Sequence, residues 1–204
     1  CTGLGEGVTR LGGMKVDLER LVALRPDLVL AVSSKAQSNL FTSIERGGIE
    51  LLQHRTDSLG DLKKCLEKMA RRLGATEKSN RYLEFLQELG QMPAPAEDAP
   101  TVLFVVGWQP LYVATSSAFV SELLRAVGTR NIYSDQSQSF MRVDLEDILQ
   151  RNPSYVLDTT AGGAEKWKQI KQLQAVKNQR VHSMKPVVPG SQLKLYVKEL
   201  KRIL

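Results

Sequence analysis

The chain repeats one short plan, and that repeat limits what it can fold into. Residues 16–32 read VDLERLVALRPDLVLAV and residues 143–159 read VDLEDILQRNPSYVLDT. Aligned without a gap, the two stretches share seven identical residues: Val, Asp, Leu, Glu, Pro, Val and Leu. The acidic start suits a helix N-terminus, where carboxylates meet the positive end of the dipole. Leu18, Leu21 and Val22 then recur at helical spacing. Pro26 and Pro153 stop the helix, because proline lacks the amide hydrogen that the next turn needs. Leu28–Val32 and Tyr155–Leu157 follow, too short for helices and apolar enough for buried strands. Two helix–Pro–strand copies predict an α/β protein of two related lobes with parallel sheets.

The rest of the chain fits that plan. Residues 1–15 are Gly-rich and read as loop. Ser33–Ser38 is a polar loop just past the first strand, at the edge where open α/β sheets collect ligands. Helix is expected over 39–46, strand over 49–53, and a second strand-end loop over His54, Arg55 and Thr56. Ser58 caps a helix to about Leu73, and Thr76 caps another to Gln91. MPAPAEDAP is a linker. The division expected is a lobe over 1–75, a long connecting helix over 76–92, and a second lobe over 93–204. That second lobe opens with the buried strand TVLFVV, the exit loop Gly107–Pro110 and an extended piece over 111–114. Thr115, Ser116 and Ser117 stand before the helix 118–127, as caps or as a site for a polar ligand group. Thr159–Gly163 is the loop after the second repeat. It is followed by a helix over 165–173, a strand over 180–183, the turn KPVVPG and a helix over 192–204.

Composition narrows the partners. The net charge of +6 permits a nucleic acid, but Lys and Arg are interspersed with acids along helices, and neither zinc-ligand spacing nor an RNA-binding aromatic motif occurs. Nucleic acid is therefore not expected as a partner. No apolar run reaches the ~18 residues of a membrane-spanning helix. Cys65 lies on a helix face with Leu62, Leu66, Met69 and Leu73 and reads as a core residue. Cys1 leaves a lipid anchor open, since a processed bacterial lipoprotein begins with a lipidated Cys. GLGEGVTR has glycines but no strand before it, so it is not a dinucleotide fingerprint. No G-x-S-x-G elbow is present, and His54 and His182 have no nucleophile at informative spacing. Nothing argues for an enzyme or a bound cofactor, and a two-lobed α/β chain of this kind suggests ligand binding.

VDLERLVALRPDLVLA resembles a signature of periplasmic solute-binding proteins of the vitamin B12 and ferric-siderophore class. PTVLFVVGWQPLYVATSSAFVSELLRAVGTRNIY resembles their second-lobe opening, in particular the B12-binding branch, and LQAVKNQRVHSM resembles a late segment. The resemblance implies two lobes bridged by one rigid helix and an extracytoplasmic protein of an ABC importer. Its ligand would be a large solute held between lobes: a corrinoid, with haem or a ferric siderophore as alternatives. The strand-end loops then supply the candidate ligand residues Ser33, Ser34, Lys35, Arg55, Gly107, Trp108, Gln109, Ser116, Phe140, Thr159 and Lys185. Trp108 is either a stacking platform for a planar macrocycle or a core residue. The resemblance also implies docking on a transporter permease through one acid per lobe. In the second lobe that acid is Glu165; the repeat sends its first-lobe counterpart to Ser38, which is not acidic. Family members usually begin with a further segment, so the first lobe reads as shortened at its N-terminus. These two departures keep a second reading open, a structural or protein-interaction module whose partner completes the first sheet's edge.

Overall fold

A computed structural model of the chain describes residues 16–33, 37–55 and 57–204. It comprises two compact units, residues 1–55 and 56–204.

In the first unit, helix α1 (Leu18–Ala23) leads to strand β1 (Leu28–Val32), and helix α2 (Ser38–Arg46) leads to strand β2 (Glu50–His54). The Asp17 carboxylate caps α1 by accepting from the Arg20 backbone N–H at 3.1 Å. β1 and β2 pair in parallel, from Leu28 opposite Glu50 to Val32 opposite His54. Leu21, Phe41 and Ile44 are the buried apolar residues of this unit among those described.

The second unit begins with helices α3 (Leu59–Arg72) and α4 (Thr76–Gln91). Helix α3, read from the sequence as part of the first lobe, packs along α4 in this unit. Ser58 caps α3 as expected, its hydroxyl accepting from the Asp61 N–H at 3.0 Å. Thr76, expected as a cap, is instead the first helical residue, and Ala75 occupies the cap position. Cys65 is buried in α3, and burial pushes its thiol pKa up, so it is a core residue.

Strands β3 (Thr101–Trp108), β4 (Leu111–Ala114), β5 (Arg130–Asn131), β6 (Phe140–Arg142), β7 (Tyr155–Asp158) and β8 (Val181–Ser183) form the second sheet. Its order is β6-β4-β3-β7-β8, with β5 added beside β3. β3, β5, β7 and β8 run parallel, whereas β4 is antiparallel to both β3 and β6, so this sheet is mixed rather than purely parallel. The antiparallel part follows from the two-residue turn at Gln109–Pro110, which folds the chain directly back. Residues 102–105 are buried on both faces, as a run of Val, Leu and Phe in a parallel sheet requires. Val102, Phe104 and Leu157 face a core built with α3, α4, helix α5 (Phe119–Ala126) and helix α9 (Leu193–Ile203). Leu103, Val105 and Val156 face the opposite core. Helices α6 (Leu145–Arg151), α7 (Gly163–Trp167) and α8 (Gln174–Lys177) contribute Ile148, Trp167 and Ala175 to it.

The repeat survives in detail. Helices begin at the matched positions Leu18 and Leu145, and strands at Leu28 and Tyr155. The residue before each proline, Arg25 and Asn152, is left-handed, with φ of 44° and 43°. This conformation ends the helix and turns the chain into the strand. The helix expected over 165–173 is instead α7 and α8 separated by turns. Trp167 and Leu173 are both fully buried. Six residues of continuous helix would place them about 120° apart around its axis, so the chain breaks to bury both.

His182 on β8 carries a pH-dependent contribution. Burial, and then the charge of Arg202, hold its imidazole below the ordinary value of 6.5. The folded state therefore binds this proton less readily than the unfolded state. The contribution is complete above the unfolded value and is lost as pH falls through it toward the folded one. His182→Gln is expected to flatten the decline in melting temperature on acidification below about pH 6.5; an identical pH slope would overturn the assignment.

Candidate ligand-binding site

The parallel strands β3, β7 and β8 end at one edge, and a cavity of about 690 Å³ opens there. That volume lies in the range of small-molecule sites, roughly 300–1,000 Å³. Val106 and Gly107 at the end of β3 form one wall, and Thr159 and Thr160 after β7 form another. Pro186, Val187 and Pro189 after β8 close a third side, Tyr112 of β4 with Ser139 and Phe140 form a lip, and Asp57 lies at the margin. Phe104, Phe119 and Val120 supply the floor. The lining is mainly apolar, and Tyr112 and Phe140 are 40% and 53% exposed. Exposed aromatics around a concave apolar surface make this cavity the candidate site. Among the described residues, the lining contains no Lys, Arg or His.

The lip is held by polar bonds. Thr115 and Ser116 donate their hydroxyls to the carbonyls of Gln138 and Gln136, and Ser117 Oγ donates to the Ser137 carbonyl at 2.8 Å. The Thr115 backbone N–H also donates to the Ser139 carbonyl at 3.0 Å. These hydroxyls were expected to cap α5 or to hold a polar ligand; they clasp the 136–138 loop instead, and α5 begins after Ala118 with no side-chain cap. Behind the clasp, Asn131 Nδ2 donates to the Ala114 carbonyl and to Ser121 Oγ, both at 2.8 Å. Tyr133 donates its hydroxyl to Asp147 at 2.7 Å beneath the Arg151 guanidinium, and burial with that bond pushes the phenol pKa well up.

The walls meet at a carboxylate that sequence reasoning missed. Asp158, the last residue of β7, is fully buried. Its Oδ2 accepts from Trp108 Nε1 at 2.9 Å and Trp167 Nε1 at 2.7 Å, and its Oδ1 accepts from the Thr160 N–H at 2.7 Å and Thr160 Oγ1 at 2.6 Å. The sequence signal was the acid closing the apolar run YVLD ahead of Thr-Thr, which only makes sense if local donors receive it.

Of the residues singled out in the sequence, Gly107, Phe140 and Thr159 line the cavity. Trp108 stands behind the wall: its N–H is occupied by Asp158, and its ring tilts against Trp167 with centroids 5.0 Å apart. Ser116 belongs to the clasp, while Gln109 and Lys185 are exposed and outside the lining. Ser33 and Arg55 sit at the strand ends of the first unit, where the Ser33 N–H donates to the His54 carbonyl at 2.7 Å. Ser34, Lys35 and Cys1 lie outside the described residues. Glu165 is exposed on α7 and pairs with Lys168 at 2.6 Å. Among the described residues no cluster of His, Cys, Asp or Glu could hold a metal, and no helix is long and apolar enough to cross a membrane.

A parallel-rich α/β sheet with an open apolar cavity at its C-terminal strand edge is the architecture of a ligand-binding protein. The chain belongs to the periplasmic binding protein family, whose pattern matches residues 3–188. It is 27% identical over 157 residues to a vitamin B12-binding protein of Pectobacterium atrosepticum, covering 73% of this chain and 55% of that relative. It is 26% identical over 192 residues to YvrC of Bacillus subtilis, an uncharacterized ABC transporter substrate-binding lipoprotein, covering 88% and 61%. The chain thus spans little more than half the length of such relatives. The fold matches the periplasmic vitamin B12-binding protein BtuF of Vibrio cholerae with a TM-score of 0.76 at 17% identity, covering 93% of this chain and 78% of that one. It matches the periplasmic heme-binding protein HutB of the same species with a TM-score of 0.77 at 18% identity, covering 93% and 79%. These relatives are binding proteins rather than enzymes.

Proposed function

We propose that the protein is the extracytoplasmic solute-binding component of an ABC importer and that its solute is a corrinoid. The observation that carries this reading is the cavity, which is apolar, rimmed by Tyr112 and Phe140, and without a cationic side chain in its described lining. Haem brings two carboxylates and ferric siderophores are commonly anionic, so both gain from Arg or Lys partners. A corrinoid offers a broad apolar face fringed with neutral amides, which suits aromatic contact and a few hydroxyls such as those of Ser139, Thr159 and Thr160. The relatives named as vitamin B12-binding proteins support the same choice. Titration calorimetry with cyanocobalamin and with haemin tests it. Saturable cyanocobalamin binding is expected, weakened about tenfold by Tyr112→Ala or Phe140→Ala, equivalent to ~1.4 kcal/mol each. Haemin binding without cyanocobalamin binding would overturn the corrinoid assignment.

In this reading Glu165 is the permease-docking acid of the second lobe. Its exposure and its place in the first turn of α7 leave it available to a cationic partner. Equal transporter affinity for the protein and for Glu165→Ala would remove that role. One observation favours the second reading, an interaction module. Leu30 and Val32 of β1 are 42% and 53% exposed, although parallel strands are normally covered on both faces. That reading requires that neither solute bind in the calorimeter.

A further inference from the structure

Asp158 is a fully buried acid in the middle of the second sheet. A carboxylate taken fully out of water costs several kcal/mol unless charge-assisted hydrogen bonds offset the loss. Among the described residues four neutral donors reach it, and they divide by place. Oδ2 receives Trp108, the residue after the wall residue Gly107, together with Trp167 behind it. Oδ1 receives both donors of Thr160, itself a wall residue beside Thr159. One rigid group therefore holds the β3-exit wall through one oxygen and the β7-exit wall through the other. The backbone repeats the connection, since the Thr159 N–H donates to the Val105 carbonyl at 3.0 Å and Thr159 Oγ1 donates to the same atom at 2.9 Å. The Lys166 ammonium lies 5.1 Å from the centre of the Trp108 ring and holds its outer side.

We propose that Asp158 is the positioning residue of this cavity, fixing the spacing of its two strand-exit walls and so the shape of solute it accepts. The solute part of this inference rests on the cavity being the binding site. Trp108→Phe keeps an aromatic ring and removes one donor from Oδ2; Thr160→Val keeps the side-chain shape and removes one donor from Oδ1. Hydrogen exchange of the ligand-free protein, followed by mass spectrometry, reads the connection directly. In Trp108→Phe, exchange over residues 159–163 is expected to rise at least about threefold while the 193–203 helix is unchanged, a local rather than global opening. A rise confined to 105–112, or an equal rise in 193–203, would overturn the proposal whatever the solute.

Calorimetry with cyanocobalamin supplies the second arm. Each variant is expected to weaken binding, and the double variant by less than the product of the single factors, because both act through one carboxylate. Unchanged affinity in Trp108→Phe, with the unsubstituted protein binding normally, would overturn the link to solute shape. Absence of cyanocobalamin binding by the unsubstituted protein would overturn the corrinoid reading instead, and the exchange experiment alone would then decide the role of Asp158.

Discussion

Gly163→Ala is expected to destabilise the second unit by about 3–5 kcal/mol, far beyond the usual cost of a Gly-to-Ala change in a helix. A methyl group on Gly163 would fall inside the van der Waals shells of Asp158 Cγ and both its carboxylate oxygens. Most side chains would rotate away from such a contact. Asp158 cannot, because four hydrogen bonds from Trp108, Trp167 and Thr160 fix both oxygens. Relieving the clash therefore breaks donors at a fully buried carboxylate, and each buried donor left unpaired costs about 1–3 kcal/mol. The neighbouring Gly162→Ala is the control. Gly162 is left-handed at φ 66°, but nothing lies near its missing Cβ, so only about 1 kcal/mol of backbone strain is expected. Denaturant unfolding followed by tryptophan emission measures both, since Trp108 and Trp167 both lie in the second unit. Equal midpoints for the two alanine variants would refute the account of Asp158 as an immovable group.

Phe104→Ala should have the second large effect, and it should be felt twice. Phe104 is 1% exposed at the centre of β3, where it packs in the core with Leu157 and Leu124 and also floors the cavity. Truncating a buried Phe costs about 3–5 kcal/mol through lost burial and the void that remains. The void here adjoins the open cavity, so water can enter it and the lower end, about 3 kcal/mol, is expected. The floor also recedes from any bound solute. Stability and cyanocobalamin affinity should therefore fall together. Leu124→Ala, fully buried and outside the lining, should lower stability alone. Denaturation and calorimetry on the same two proteins separate these outcomes; loss of affinity in Leu124→Ala of the same size would show that the cavity floor has no special part.

Local periodicity and punctuation made much of the fold legible. Pro26 and Pro153, each behind an acidic helix start and ahead of a Val/Leu run, located two helices and two strands at matched positions. TVLFVV announced a buried strand, and its residues 102–105 are buried. What could not be read depended on distant contacts. The 165–173 stretch has helical composition, yet Trp167 and Leu173 both reach the core and break it. Thr115, Ser116 and Ser117 stand where caps belong, but their hydroxyls bond the 136–138 carbonyls, and α5 has no side-chain cap. Trp108 was visible as a notable residue, and its N–H partner was not, since Asp158 lies fifty residues along the chain. The cavity was half legible for the same reason. Strand-end position pointed to Gly107 and Thr159, whereas Tyr112 and Val187 enter only through the sheet order and the turn after β8.

The clasp at the cavity lip has a consequence for how such a protein can change. Thr115, Ser116 and Ser117 grip residues 136–138 by their carbonyl oxygens, which every amino acid supplies. The path of the lip is thus written in three hydroxyls before α5, and not in the identities of the residues it guides. Substitutions across 136–138 can accumulate while Ser139 and Phe140 are still delivered to the rim at the same height. A receptor built this way can drift toward a new solute at its mouth without first having to relearn how to fold.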